Sequence, residues 1–206
     1  MSSSQDDQNN QGGIAASCTG LPRSPLLLGK DDSALLIVDV QTKLVGLIED
    51  NQRLVWNNRR LVDAADIFAI PVLATEQYPK GLGGTVPELA ERLQSVQAKT
   101  RFSCGECEEL FGKLISEGRR KIVIAGIESH VCVMQTALDL LTAGFEIYVV
   151  VDAIGSRFSL DHQTAIRRME LAGAFLTTTE SVMFEWCEAS GSEEFKAVSA
   201  LVRETL

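Results

Sequence analysis

The sequence predicts a three-layer α/β/α sandwich around a six-stranded, mostly parallel sheet. Three observations point there. Short aliphatic runs stay apolar instead of alternating in polarity, as strands covered on both faces do. Segments with helical periodicity lie between them. Strand starts recur about every 30 residues, the length of a βαβ unit with a right-handed crossover.

Taken in order, Ala34–Val38 is the first strand. Asn51–Ala69 follows as a helix, with Leu54, Val55, Asn58, Leu61, Val62, Ala65 and Phe68 on roughly one stripe. Pro71–Ala74 and Val96–Ala98 are the second and third strands. Glu106–Glu117 carries Leu110, Phe111 and Leu114 at helical spacing and stops at Gly118. Lys121–Ala125 is the fourth strand. Val131–Ala143 is apolar nearly all round and ends at Gly144, which suits a left-handed C-terminal cap. Glu146–Val151 and Ala174–Leu176 complete the sheet. This makes one domain over residues 31–206. Residues 1–30 form a disordered or loosely ordered tail, because Met1–Gly20 is mostly Ser, Gln, Asn, Asp and Gly and has too little apolar surface to offset its ordering entropy.

Composition narrows the function classes. A chain of 206 residues makes one domain with a real core, since 45% of it is hydrophobic. A net charge of −9 argues against a nucleic-acid partner. No apolar run nears the roughly 20 residues that span a bilayer, so no membrane role is expected. The first residues lack the basic start and long apolar stretch of an export signal, and the cytoplasm is the expected location. Five cysteines, an odd number in a chain too large to need disulfide staples, indicate free thiols in a reducing compartment.

In open parallel sheets, ligands bind beyond the carboxyl ends of the strands. Asp39 follows the first strand, with Gln41 two residues on; Lys99 ends the third; Cys132 opens the helix after the fourth. A free thiol is only a few per cent thiolate at pH 7. The helix N-terminus and the Lys99 ammonium are expected to lower the Cys132 pKa. Asp39 pulls the other way, yet it is the right group to take the thiol proton and return it to a leaving amine. Each residue also has a plain reading: a helix cap, a solvated tip and a core thiol.

The blocks Val38-Asp39-Val40-Gln41, Ala98-Lys99-Thr100-Arg101-Phe102-Ser103 and Ala125-Gly126-Ile127-Glu128-Ser129-His130-Val131-Cys132 resemble the signature blocks of the isochorismatase-like cysteine hydrolases. Thr75–Gly83, Val86–Leu89, Val151-Asp152-Ala153 and Gly173–Thr177 are similar to the eukaryotic isochorismatase domain-containing branch. The resemblance implies a Rossmann-like six-stranded sheet and a triad of Asp39, Lys99 and nucleophilic Cys132. It implies a cis Ile127–Glu128 peptide and an oxyanion hole from the backbone N–H groups of Glu128 and Cys132. Gln41, Glu76, Tyr78 and Phe102 are the expected substrate contacts. Where nicotinamidases of this family carry an Asp-x-His-type metal site, this chain has Glu76-Gln77-Tyr78, so neither a metal nor another cofactor is expected. The implied function is metal-independent thiol hydrolysis of a C–N, amide-like bond in a small molecule through a covalent thioester, in a homo-oligomer.

Two other classes remain open at this stage. One is a catalytically idle family member serving as a binding or scaffold subunit. The other is a redox protein using Cys104-Gly-Glu-Cys107, although Glu106, Glu108 and Glu109 crowd that pair and negative charge raises thiol pKa. His130 reads as a loop residue near the pocket, and Asp152 with Arg157 as a structural ion pair.

Overall fold

The computed structural model describes residues 21–206. Its six strands are β1 (Ser33–Val38), β2 (Val72–Gln77), β3 (Gln97–Lys99), β4 (Lys121–Ile127), β5 (Glu146–Gly155) and β6 (Phe175–Thr177). They form one sheet in the order β3-β2-β1-β4-β5-β6, and every named pair is parallel. The helices are α1 (Thr42–Val45), α2 (Asn51–Ile67), α3 (Pro79–Leu82), α4 (Pro87–Ala90), α5 (Glu108–Ser116), α6 (Met134–Thr142), α7 (Ser159–Leu171), α8 (Thr179–Cys187) and α9 (Glu193–Val202). None of them is long and apolar enough to cross a membrane.

The continuous apolar strands serve two cores. Leu35 and Ile37 of β1 face one core with α2, α8 and α9, through Leu54, Leu61, Met183, Trp186 and Val198. Ala34, Leu36 and Val38 face the other with α5, α6 and α7, through Phe111, Leu114, Leu140, Ala165 and Met169. Each fully buried Leu or Ile contributes about 1.5–3 kcal/mol by leaving water. That two-sided burial explains why the strands show no alternation of polarity.

Several boundaries differ from the expected ones. Residues 21–30, grouped with the tail from composition, are in part packed on the domain. Leu28 is fully buried, and the Leu26 and Leu27 carbonyls accept hydrogen bonds from Tyr148 (2.8 Å) and Lys121 (2.8 Å). The short Leu26-Leu27-Leu28 run supplies the apolar surface that Met1–Gly20 lacks; residues 1–20 lie outside the described residues. The fifth strand continues past Val151 to Gly155, after a register shift opposite Ile124 and Gly126. The helix expected over 131–143 divides into a π-helical turn, Ser129–Val133, and α6. The one expected over 106–117 divides into a 3-10 turn, Cys104–Glu106, and α5. The expected Asp152–Arg157 ion pair does not form: Asp152 accepts from the backbone N–H (2.8 Å) and hydroxyl (3.0 Å) of Thr179, and Arg157 pairs with Glu128 (3.1 Å).

Val38, the last residue of β1, pairs with Gly126, one residue before the end of β4. A Cβ on Gly126 would sit 2.1 Å from the Val38 carbonyl oxygen, and its φ is +115°. Only glycine lets the two chains approach there. Gly126→Ala is expected to destabilise the protein by at least about 3 kcal/mol in urea unfolding. Gly112→Ala, on exposed α5 with nothing within 4 Å of the added carbon, is expected to stabilise by about 0.5–1 kcal/mol. Equal unfolding midpoints for the two variants would refute this contrast.

Candidate active site

The strand order sets the geometry. With β3, β2, β1 and β4 as successive neighbours, the residues ending β1, β3 and β4 meet at one edge. Asp39, the residue after β1, has φ +51° and donates its N–H to the Thr75 carbonyl of β2 (3.1 Å). This turn aims the carboxylate across the ends of the strands.

Lys99 closes on it from β3. Its Nζ lies 2.7 Å from Asp39 Oδ2, and both side chains are fully buried. The same ammonium donates to Gln77 Oε1 (2.8 Å) and the Phe102 carbonyl (2.9 Å), with the Arg101 carbonyl at 3.3 Å. Three N–H donors therefore have their acceptors, which a buried ammonium requires. Thr75 Oγ1 donates to the second carboxylate oxygen, Asp39 Oδ1 (2.8 Å). Burial alone lowers the Lys99 pKa; the Asp39 carboxylate, then the Cys132 and Cys104 sulfurs, more than reverse this and leave it raised.

Cys132 sits in the π-helical turn between β4 and α6, 6% exposed. Its environment reverses one expectation. The thiol pKa is raised, first by burial and then by the Asp39 charge; Lys99 lowers it by less. Burial is the larger cause, and the Lys99 charge, paired with Asp39 at 2.7 Å, offsets only part of it. The resting sulfur is a thiol with a carboxylate beside it.

The Ile127–Glu128 peptide is cis, as the family resemblance implies. Three side-chain ties hold this turn to the segment after β5. Glu128 Oε2 accepts from the backbone N–H and Nε of Arg157 (3.1 Å each). Ser129 Oγ and His162 Nδ1 are 2.9 Å apart, and His130 Nδ1 and Ser156 Oγ 3.0 Å. Burial lowers the His162 pKa. Both described histidines thus brace the turn. A hollow of about 330 Å³ lies behind it, lined in part by Ser156 and His162, and none of Asp39, Lys99 and Cys132 borders it.

The expected substrate contacts divide into two groups. Gln41 is fully buried; its Nε2 donates to the Gln77 (3.0 Å) and Gly83 (2.6 Å) carbonyls, and its Oε1 accepts from the Gln77 N–H (2.8 Å). Glu76 Oε1 accepts from the N–H (2.6 Å) and hydroxyl (2.7 Å) of Thr85. These two side chains hold the loop after β2 in place. Tyr78 and Phe102 are 55% and 52% exposed. Thr75 and Gln77 had no role in the sequence reading, yet they hold Asp39 and Lys99. Their signal was polarity at the end of an apolar strand next to the one that leads into Asp39.

The Cys104/Cys107 pair lacks the setting of a redox centre. Cys104, Cys107, Cys132 and Cys187 are free thiols. Both members of the pair are buried, and burial, then the charge of Cys104, pushes Cys107 up to about 11. A redox nucleophile needs the opposite shift.

Comparison with known proteins adds to this geometry. A model of the isochorismatase domain matches residues 33–181. Isochorismatase domain-containing protein 2 of Xenopus laevis is 40% identical over 179 residues, 86% of each chain. The structure of MAR1 ribonuclease from Caenorhabditis elegans superposes with a TM-score of 0.80 at 40% identity, covering 87% of this chain and 93% of that one. The YcaC gene product of Escherichia coli, described as an octameric hydrolase of unknown specificity, superposes with a TM-score of 0.78 at 28% identity, covering 87% and 92%.

The raised pKa values of Cys132 and Lys99 set an alkaline limit on stability. Thiols of the unfolded chain ionise near about pH 8.5 and its lysines near about 10.4, while the folded groups hold their protons longer. The unfolded state then binds fewer protons, so stability falls as pH rises. The urea midpoint is expected to fall from pH 9 upward. Cys132→Ala is expected to make that fall shallower. A slope identical to that of the wild type would contradict the Cys132 assignment.

Proposed function

The chain belongs to the isochorismatase family, and from that premise we propose that it is a thiol hydrolase that cleaves a C–N, amide-like bond of a small molecule. The observation that carries this reading is the buried Asp39–Lys99 pair beside a protonated thiol. Asp39 takes the Cys132 proton as the sulfur attacks the carbonyl carbon. The S–C bond forms, and the carbonyl π pair moves to oxygen, which accepts hydrogen bonds from the backbone N–H groups of Glu128 and Cys132. The C–N bond breaks as Asp39 protonates the departing nitrogen, leaving a thioester. Asp39 then removes a proton from water, which attacks the thioester; the carboxylic product leaves and Cys132 regains its proton. Lys99, 2.7 Å from Oδ2, fixes the direction of the Asp39 carboxyl group through this cycle. Tyr78 and Phe102 form the rim that meets the substrate, with Gln41 and Glu76 setting the position of Tyr78.

The net charge of −9 favours a small molecule over RNA as substrate. Free thiols fit a cytoplasmic setting. Exposed Phe158, Leu160 and Leu171, at 65%, 75% and 69%, are the kind of surface that self-association covers, in keeping with a homo-oligomer. Sedimentation velocity tests that assembly, and the mass of a single chain would refute it.

The function is tested with a panel of amides, imides and ureas, with a structured RNA alongside. Wild type is expected to turn over at least one small substrate, and Cys132→Ala to lose at least about a thousandfold in kcat/KM. Acid quenching during turnover is expected to trap an acyl group on the Cys132 peptide. Full activity of Cys132→Ala would require a different nucleophile, and no turnover by wild type would leave the binding-subunit reading.

A further inference from the structure

The base in this site is held by more than its lysine. Parallel pairing puts Thr75 opposite Val38, so the next residue, Asp39, takes both its backbone and its carboxylate contact from Thr75. Thr75 is 1% exposed and Asp39 fully buried, so water does not replace these contacts. A carboxylate paired with an ammonium only accepts hydrogen bonds. The single Thr75 hydroxyl proton therefore points at Asp39 Oδ1 (2.8 Å). Behind Thr75, Cys104 Sγ lies 3.5 Å from the same hydroxyl oxygen. With that proton committed to Asp39, the oxygen is left as acceptor and the Cys104 thiol as donor. Cys104 is fully buried and its pKa is raised by burial, so the S–H proton is present. Cys104 is itself held through its N–H on Thr136 Oγ1 (2.9 Å).

We propose that Thr75 is a positioning residue for the base: backed by the Cys104 thiol, it fixes the Asp39 carboxylate through Oδ1 while Lys99 fixes Oδ2, and so holds that carboxylate where it takes the Cys132 proton. The proposal rests on the reading of Asp39 as base. It also gives Cys104 a use that the Cys104/Cys107 motif did not suggest. The titratable groups on which the Asp39 charge acts are Lys99 from β3, Cys132 from the π-helical turn, Cys104 from the 3-10 turn and Cys107 just after it. A donor to the charged form favours that form, so losing it makes the carboxylate a stronger base that protonates at higher pH.

The test uses acrylamide, whose addition to a thiol needs the same proton transfer. The S–C bond forms at the β-carbon, the C=C π pair moves to the α-carbon, and Asp39 carries the thiol proton there. The rate of adduct formation on Cys132 is read by peptide mass spectrometry across pH, in wild type, Asp39→Asn, Thr75→Val and Thr75→Ser. Wild type is expected to show an acidic limb that Asp39→Asn lacks. Thr75→Val is expected to move that limb upward by about one pH unit. Thr75→Ser, which keeps the hydroxyl, is expected to move it back. If Thr75→Val does not fold by circular dichroism, Thr75→Ala takes its place. A limb that persists in Asp39→Asn would overturn the assignment of the base, and the Thr75 proposal with it. A limb absent from Asp39→Asn and unmoved in Thr75→Val would overturn the Thr75 proposal alone. So would a uniform loss of rate that Thr75→Ser does not restore.

Discussion

A carboxylate and an ammonium, both without solvent exposure and 2.7 Å apart, are the constraint around which this edge of the molecule is organised. Removing either charge from water costs several kcal/mol, and mutual attraction offsets that only when the remaining hydrogen-bonding capacity is also met. Here it is met from four directions. Gln77 and the Phe102 carbonyl complete the ammonium, Thr75 completes the carboxylate, and the Thr75 carbonyl holds the Asp39 backbone. Deleting one partner would strand the other, with a penalty of about 3–5 kcal/mol. The pair is thus a poor source of stability and a good source of fixed geometry.

That geometry depends in turn on the order of the strands. β1 and β4 are neighbours at the centre of the sheet although distant in sequence, and chain crossovers leave from both sides of them. The Asp39 turn leaves β1 and the Cys132 turn leaves β4 at the level where Val38 faces Gly126. Lys99 comes from β3, two strands away, and a long flexible side chain is the kind that reaches across β2 to Asp39. The three ties from Glu128, Ser129 and His130 to the segment after β5 fix the far side of the Cys132 turn. The Asp39 and Cys132 turns are therefore both anchored on the paired central strands.

Much of this was legible in the sequence, for identifiable reasons. Continuous apolar runs announced strands buried on both faces, and the rule that ligands bind at their carboxyl ends selected Asp39, Lys99 and Cys132 from a chain with 28 acids and 19 bases. The implied cis peptide at Ile127–Glu128 came from the resemblance and is present. The divided helices were not legible, because a π-helical or 3-10 turn at the start of a helix has the same hydrophobic spacing as the helix it enters. Nor were the roles of Thr75 and Gln77, since partners across a parallel sheet have no fixed separation in sequence. The direction of the Cys132 shift differs from the expected one for a related reason: residue types name the charges, and only packing shows that the thiol is buried and that Lys99 is paired with Asp39.

The raised thiol pKa bears directly on how such a site would react. A thiol with a low pKa is mostly thiolate at neutral pH but a weaker nucleophile, because nucleophilicity falls as pKa falls, with a Brønsted slope of about 0.4–0.5. A thiol with a high pKa is the stronger nucleophile once its proton is gone, and is idle until then. Placing a carboxylate beside it resolves the difficulty, provided that proton removal coincides with attack on carbon. A free thiolate next to the Asp39 charge in a buried cleft is unfavourable, whereas a proton moving onto Asp39 as the S–C bond forms never creates two adjacent anions. In the proposed reaction the Asp39 carboxyl group stays 2.7 Å from the Lys99 ammonium while it passes the proton to the departing nitrogen. In the proposed reaction the carboxylate that helps to keep the resting thiol protonated also supplies both proton transfers, so reactivity would depend on a substrate carbonyl being seated against the sulfur.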